Sequence, residues 1–132
     1  MDRLEQRLET AQRALTTLRE ALAIASPSQL ERDGAIQRFE YTFEACWKAV
    51  QHYMDEREGV PCGSPKACFR ALGVVGLLDA AAVVHALRMV DDRNQTVHVY
   101  IESVAAAIFA KLGGHAALMQ RIVEGLARRL SP

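Results

Sequence analysis

Apolar residues recur at helical spacing along most of the chain. Leu4, Leu8, Ala11, Leu15, Leu18 and Leu22 form one stripe, with Arg3, Glu5, Arg7, Glu9, Arg13, Arg19 and Glu20 mostly off it, and this predicts a first helix over 2–24. The stripe has a heptad-like look, but over three turns or so it fits a bundle helix better than a coiled coil. Ser26-Pro27-Ser28 ends it, because proline disfavours helical geometry at the residue before it. A second stripe, Ile36, Phe39, Phe43, Cys46, Trp47, Val50 and Met54 with Tyr53 beside it, predicts a helix from about 29 or 32 to 57. It holds the only tryptophan and reads as the aromatic centre of the core, with Trp47 among Phe39, Phe43 and residues of the fifth helix. Glu44 and Lys48, one turn apart, are expected to pair at the surface.

Gly59 to Gly63 reads as a loop. Ser64-Pro65 is a good helix start, since serine caps and proline fits the first helical position, and the short third helix should stop near Leu72 at Gly73. A fourth helix is predicted from 77 or 78 to between 91 and 94, with Asp79 as cap or first-turn acid. A fifth carries Ile101, Val104, Ala105, Ile108 and Leu112 inward, and Gly113-Gly114 should kink or end it. A last segment, about 115–130, buries Leu118, Met119, Ile122, Val123 and Leu126. No strand pattern or internal repeat competes. The expected architecture is all-α, one domain over residues 1–132, an antiparallel up-and-down bundle of four main helices plus short extra ones.

Composition narrows the function classes. Sixteen basic residues balance sixteen acidic ones, so any nucleic acid or nucleotide must be met by a local cluster. No apolar run approaches the roughly 18 residues that span a bilayer, so no membrane role is expected. The three cysteines, Cys46, Cys62 and Cys68, are odd in number and lack a C-x-x-C spacing, and the charged start after Met1 is unlike a secretory signal; a reducing cytoplasm is the expected location. None of His52, His85, His98 and His115 has an acid three residues before it, and glycine-rich phosphate loops are missing, so no metal or other cofactor is expected. His52, His85 and His115 read as structural or surface residues, and Cys46 as a small core hydrophobe.

One stretch departs from the alanine-rich pattern around it, Asp91-Asp92-Arg93-Asn94-Gln95-Thr96-Val97-His98-Val99-Tyr100. Arg93 is a permanent cation, His98 exchanges a proton near neutral pH, and Tyr100 carries a hydroxyl, a set suited to phosphate handling or proton transfer. The plainer alternative is a polar helix junction with a cap. On one unbroken helix Arg93 and His98 would lie roughly 140° apart. Either the helix breaks between them, for which Asn94 and Thr96 are suitable caps, or two chains complete the site. Lys66 and Arg70, four residues apart on the third helix, are a second pair that a phosphate could use.

Three segments together resemble one family. Arg38-Phe39-Glu40-Tyr41-Thr42-Phe43-Glu44-Ala45-Cys46-Trp47-Lys48 is similar to the signature second helix of nucleotidyltransferase substrate-binding proteins. Gly63-Ser64-Pro65-Lys66 with Arg70-Ala71 resembles the loop and third helix there, and Arg93-Asn94 with His98 and Tyr100 resembles the family's Arg-Asn-x-x-x-His-x-Tyr motif. These proteins lie within the HEPN group, whose HepT-like branch contains toxins, and the likeness extends over about residues 5–130. The resemblance implies a helical bundle that forms homodimers and a separate minimal nucleotidyltransferase partner. It further implies a metal-independent ribonuclease site across the dimer, with Arg93 and His98 as catalytic residues and Asn94 in support. Tyr100 would be the hydroxyl that the partner adenylylates to silence the toxin. Ile101, where the family often has an acid, and Ala86, where it often has tryptophan, depart from the pattern. A non-catalytic adaptor or nucleotide-binding subunit remains the competing reading.

Overall fold

Four of the five α-helices start where a short polar side chain satisfies a first free amide, as the computed structural model of this chain, which describes residues 1–131, makes plain. Asp2 accepts from the Glu5 amide at the start of α1 (Arg3–Leu22). Ser28 and Glu31 form a reciprocal capping box at the start of α2 (Gln29–Arg57). Ser64 caps α3 (Pro65–Val74), with Pro65 at its first position, and Asp79 caps α4 (Ala80–Gln95). A 3-10 turn, Thr96–His98, separates α4 from α5 (Glu102–Leu130), the exception, whose start at Ile101 has no side-chain cap. The described residues contain no strand. Short connections join successive helices, so α1, α2, α4 and α5 form the four main members of the bundle, with α3 against α2 and α4.

Two glycine sites act differently from expectation. Gly73 does not stop α3, which runs on to Val74; a Cβ there would sit 2.7 Å from Val83 Cγ2, so its missing side chain is what lets α3 and α4 approach. The chain reverses at Gly76 instead, whose φ of 77° lets the Leu77 amide reach back to the Leu72 carbonyl at 3.0 Å. Gly113-Gly114 does not end α5, so the two helices expected on either side are one of 29 residues. Both glycines are exposed. Ile108, Leu112, Ala116, Met119, Ile122 and Leu126 bury one continuous stripe past them, which outweighs the roughly 1 kcal/mol propensity cost of each glycine.

The aromatic centre is displaced from the tryptophan. Phe39 packs on Phe43 at 6.2 Å between centroids, Phe43 on Phe69 at 6.1 Å, and the His115 ring stacks on Phe39 at 5.4 Å. Trp47 is buried but outside this chain of rings: its indole N–H reaches out to Glu44 at 3.2 Å, and the Lys48 ammonium lies 4.6 Å over its ring. Glu44 and Lys48 do not pair with each other, because Glu44 turns toward α4. Cys46 is buried, and burial pushes its thiol up to about 12, so it is inert at neutral pH. Cys62 and Cys68 are joined in a disulfide, their Cα atoms 5.3 Å apart, an outcome the inference of a reducing compartment did not anticipate. Cys62 lies two residues before the Ser64 cap and Cys68 in the first turn of α3, so the entry into the helix brings them together. No described helix is long and apolar enough to cross a membrane.

Candidate functional site

The end of α4 sends three consecutive charged side chains to three neighbours. Asp91 points to α3, where Lys66 meets it at 2.7 Å. Asp92 points inward; Lys111 donates to one carboxylate oxygen and His115 to the other, both at 2.7 Å. Arg93 points to α2, its guanidinium 3.5 Å from Glu44, while its buried Nε has no hydrogen-bond partner among the described residues. Glu44 therefore holds both Arg93 and the Trp47 indole. The Arg93–Glu44 contact is a loose ion pair without a formed hydrogen bond, on a side chain 28% exposed, and leaves the cation able to take another anion.

Thr96 ends α4 by turning its hydroxyl back onto the Arg93 carbonyl at 2.7 Å. The helix breaks between Arg93 and His98, one of the two solutions the angular mismatch allowed. Thr96 is the residue that closes it; Asn94 is exposed and its side chain makes no hydrogen bond among the described residues. The amide of Ile101 bonds the His98 carbonyl at 3.0 Å, and α5 begins at Glu102, which Arg32 of α2 anchors at 2.5 Å.

The break sets His98 and Tyr100 side by side. His98 Nδ1 lies 3.3 Å from the Tyr100 hydroxyl, with the rings edge to face at 5.9 Å. Tyr100 is 79% exposed, Val97 65% and Ile101 43%, so the segment presents an apolar, hydroxyl-bearing surface outward. Within one chain His98 is joined to Tyr100 and Arg93 to Glu44. Lys66 is drawn to the same end of α4 but neutralised by Asp91, and Arg70 is exposed with no ion pair among the described residues. The described residues hold no group of three or more side chains fit to ligate a metal.

Sequence reasoning missed two supports of this site. His115 is buried beside Asp92, and its Nδ1 lies 3.0 Å from His85 Nε2. A carboxylate only accepts, so the His115 proton sits on Nε2 and Nδ1 accepts from His85. Burial lowers the His115 pKa, against the opposing pull of Asp92, and the neutral ring already satisfies both neighbours. His85 and His115 lie thirty residues apart, so no local spacing signalled the pair. The other is Glu44, whose partner proved to be on another helix instead of one turn along its own.

The described residues form an all-helical bundle, with Arg93 near the end of α4 and His98 and Tyr100 in the break that follows it. The chain belongs to the family described as nucleotidyltransferase substrate binding protein like, whose model matches residues 6–128. It is similar to a crystal structure from Thermus thermophilus, with 51% identity and a TM-score of 0.85 over 88% of this chain and 98% of that one. The fold also matches a tri-AMPylated Shewanella oneidensis HEPN toxin in complex with an MNT antitoxin, at 17% identity and a TM-score of 0.79, covering 97% of this chain and 99% of that one. A mutant of the MntA–HpeT toxin–antitoxin matches equally well, at 17% identity and 0.79 over 95% and 97%. Among curated proteins, none matches the sequence.

Proposed function

We propose that this chain is the HEPN subunit of a two-protein module, partnered by a separate minimal nucleotidyltransferase, and that as a homodimer it is a metal-independent ribonuclease toxin silenced by transfer of AMP to Tyr100. The observation that carries the reading is the exposed Tyr100 hydroxyl, 3.3 Å from His98 Nδ1 at the break after α4. A phenol held beside an imidazole can lose its proton to that ring as its oxygen attacks the α-phosphorus of ATP; the new bond joins Tyr100 to AMP and pyrophosphate leaves. The same step occupies the imidazole's neighbour and fills the surface with a charged nucleotide. That accounts for silencing.

For RNA, His98 would take the proton of a 2′-hydroxyl as that oxygen attacks phosphorus, the 5′-oxygen would depart, and a cyclic phosphate would remain. Arg93 would stabilise the charge on the phosphorane, with Glu44 as the anion it relinquishes. Asn94, Lys66 and Arg70 would meet the substrate around it. Because Arg93 and His98 have different partners within one chain, a second copy facing the first through Val97, Tyr100 and Ile101 would double the cations and imidazoles in one cleft. Exposure of those side chains supports such a homodimer.

Purified chain, incubated with RNA in the presence of a chelator, should yield cyclic phosphate ends. His98→Ala and Arg93→Ala should lose cleavage while keeping the helical fold, by about 10²–10⁴-fold for the imidazole. Tyr100→Phe should still cleave but take up no AMP from a cognate nucleotidyltransferase and ATP, followed by intact mass. Equal inertness of wild type and His98→Ala on RNA, with no growth arrest from either, would leave the adaptor reading in place.

A further inference from the structure

We propose that a groove between the start of α1 and the C-terminal half of α2 binds phosphate groups of the RNA strand flanking the bond presented to Arg93 and His98. This deepens the ribonuclease reading and rests on it for the identity of the strand. The groove encloses about 380 Å³ and is lined by Arg3, Arg7, Lys48, His52 and Asp55, with Pro61-Cys62 as its far wall. A second depression of about 240 Å³ continues it along α1, again over Arg3 and Arg7 and reaching Ala45.

Charge carries the argument. Arg13, Arg32, Arg38, Arg57, Lys66, Arg93, Lys111, Arg121 and Arg129 each lie against a carboxylate, so the neutral chain consumes most of its cations in ion pairs. Arg3, Arg7 and Lys48 have no carboxylate partner among the described residues, and all three converge here. Asp55 is the one acid in the lining. Glu56 is engaged by His52, whose other ring nitrogen accepts from Arg7 Nε at 3.2 Å, so that Arg7 is steered by an imidazole and keeps its terminal amino groups for an anion.

Position ties the groove to the site. Glu44, Lys48, Gln51 and Asp55 follow one another at four-, three- and four-residue spacing, one face of α2. The groove therefore begins one turn beyond the carboxylate that holds Arg93 and extends roughly 16 Å from it at about 1.5 Å per residue. A strand with one phosphate at Arg93 and its chain laid along α2 would meet Lys48 first, then Arg7 and Arg3. The site is built for a backbone, not for a base: the lining offers cations and no Phe, Tyr or Trp platform, and the nearby Trp47 ring is covered by the Lys48 ammonium.

The test is direct binding of a labelled single-stranded uridine oligonucleotide to the full chain, as a function of salt, on the His98→Ala background so that nothing is cleaved. Arg3→Ala/Lys48→Ala should bind several-fold more weakly, with the slope of log affinity against log salt shallower by about 1.4, two phosphate contacts at about 0.7 each. Arg19→Ala/Arg128→Ala removes the same charge from exposed positions outside the groove and should bind as the parent does, with circular dichroism confirming the fold of both. Equal weakening by the two double variants, or groove-dependent binding of free ATP with none of RNA, overturns the proposal. Groove-dependent RNA binding in a wild-type chain that cleaves nothing upholds the groove and removes the ribonuclease reading. Cleavage by wild type with binding insensitive to Arg3 and Lys48 does the opposite.

Discussion

Asp92 and His115 meet in the interior at 2.7 Å although 23 residues separate them, and the contact fixes the end of α4 from which Arg93 projects. The Asp92 carboxylate is held from two sides by α5, through Lys111 and His115, while its neighbour Arg93 is turned toward α2. A buried acid facing inward is what keeps the following cation facing out.

That pair makes stability depend on pH. Burial holds the His115 pKa below its ordinary 6.5, so below that value the unfolded chain takes up a proton that the folded chain resists. The His115 contribution should be complete above pH 6.5 and decline as pH falls through and below it. Chemical denaturation of wild type and His115→Gln across this range isolates it: the variant should show a shallower loss on the acid side. An identical loss in both would assign the acid sensitivity to other groups.

Glu44→Gln should separate holding Arg93 from folding. The ion pair is loose and partly exposed, so its removal should change stability by less than about 1 kcal/mol. RNA affinity should rise, because the carboxylate competing with phosphate for Arg93 is gone. Denaturation midpoints and anisotropy titrations at matched salt check both halves; weaker RNA binding would mean that Glu44 orients Arg93 more than it neutralises it.

In the core, Phe43→Ala should cost about 3–5 kcal/mol, since its buried ring is packed between Phe39 and Phe69. Trp47→Phe should cost far less, about 1 kcal/mol, for it keeps a buried ring and gives up mainly the hydrogen bond to Glu44. A Trp47→Phe variant as unstable as Phe43→Ala would return the tryptophan to the centre of the core. Thermal or urea melts of the two variants decide it.

Reduction of the Cys62–Cys68 disulfide should lower stability by about 2 kcal/mol, the loop-closure value for so short a ring. It should also loosen Pro61-Cys62, one wall of the cationic groove. Cys62→Ser should match the reduced wild type in its melting midpoint. A midpoint unmoved by reductant would show that the Gln51 side chain, which donates to the Cys62 carbonyl at 2.8 Å, holds the loop alone.

Much of this protein was legible in its order of residues. Helical periodicity, the Ser64 and Asp79 caps and the polar interruption at 93–100 are local signals, written within a turn or two of chain, and each appears where the pattern put it. The clash between helix geometry and the Arg93–His98 spacing left a break or a second chain as its solutions, and Thr96 makes the break. What local signals could not decide was which element each side chain would meet. Gly113-Gly114 reads as a kink or an end because propensity is local, yet burial of the stripe on both sides carried α5 past the pair. Glu44 had a plausible partner in Lys48 and took Arg93 instead; His115 looked idle and became the partner of Asp92; Cys62 and Cys68 gave no spacing rule and were joined by the turn into α3. Ion pairs, stacking and buried hydrogen bonds act over a few ångströms of space whatever their separation in sequence, so only the packing of α2, α4 and α5 could assign them.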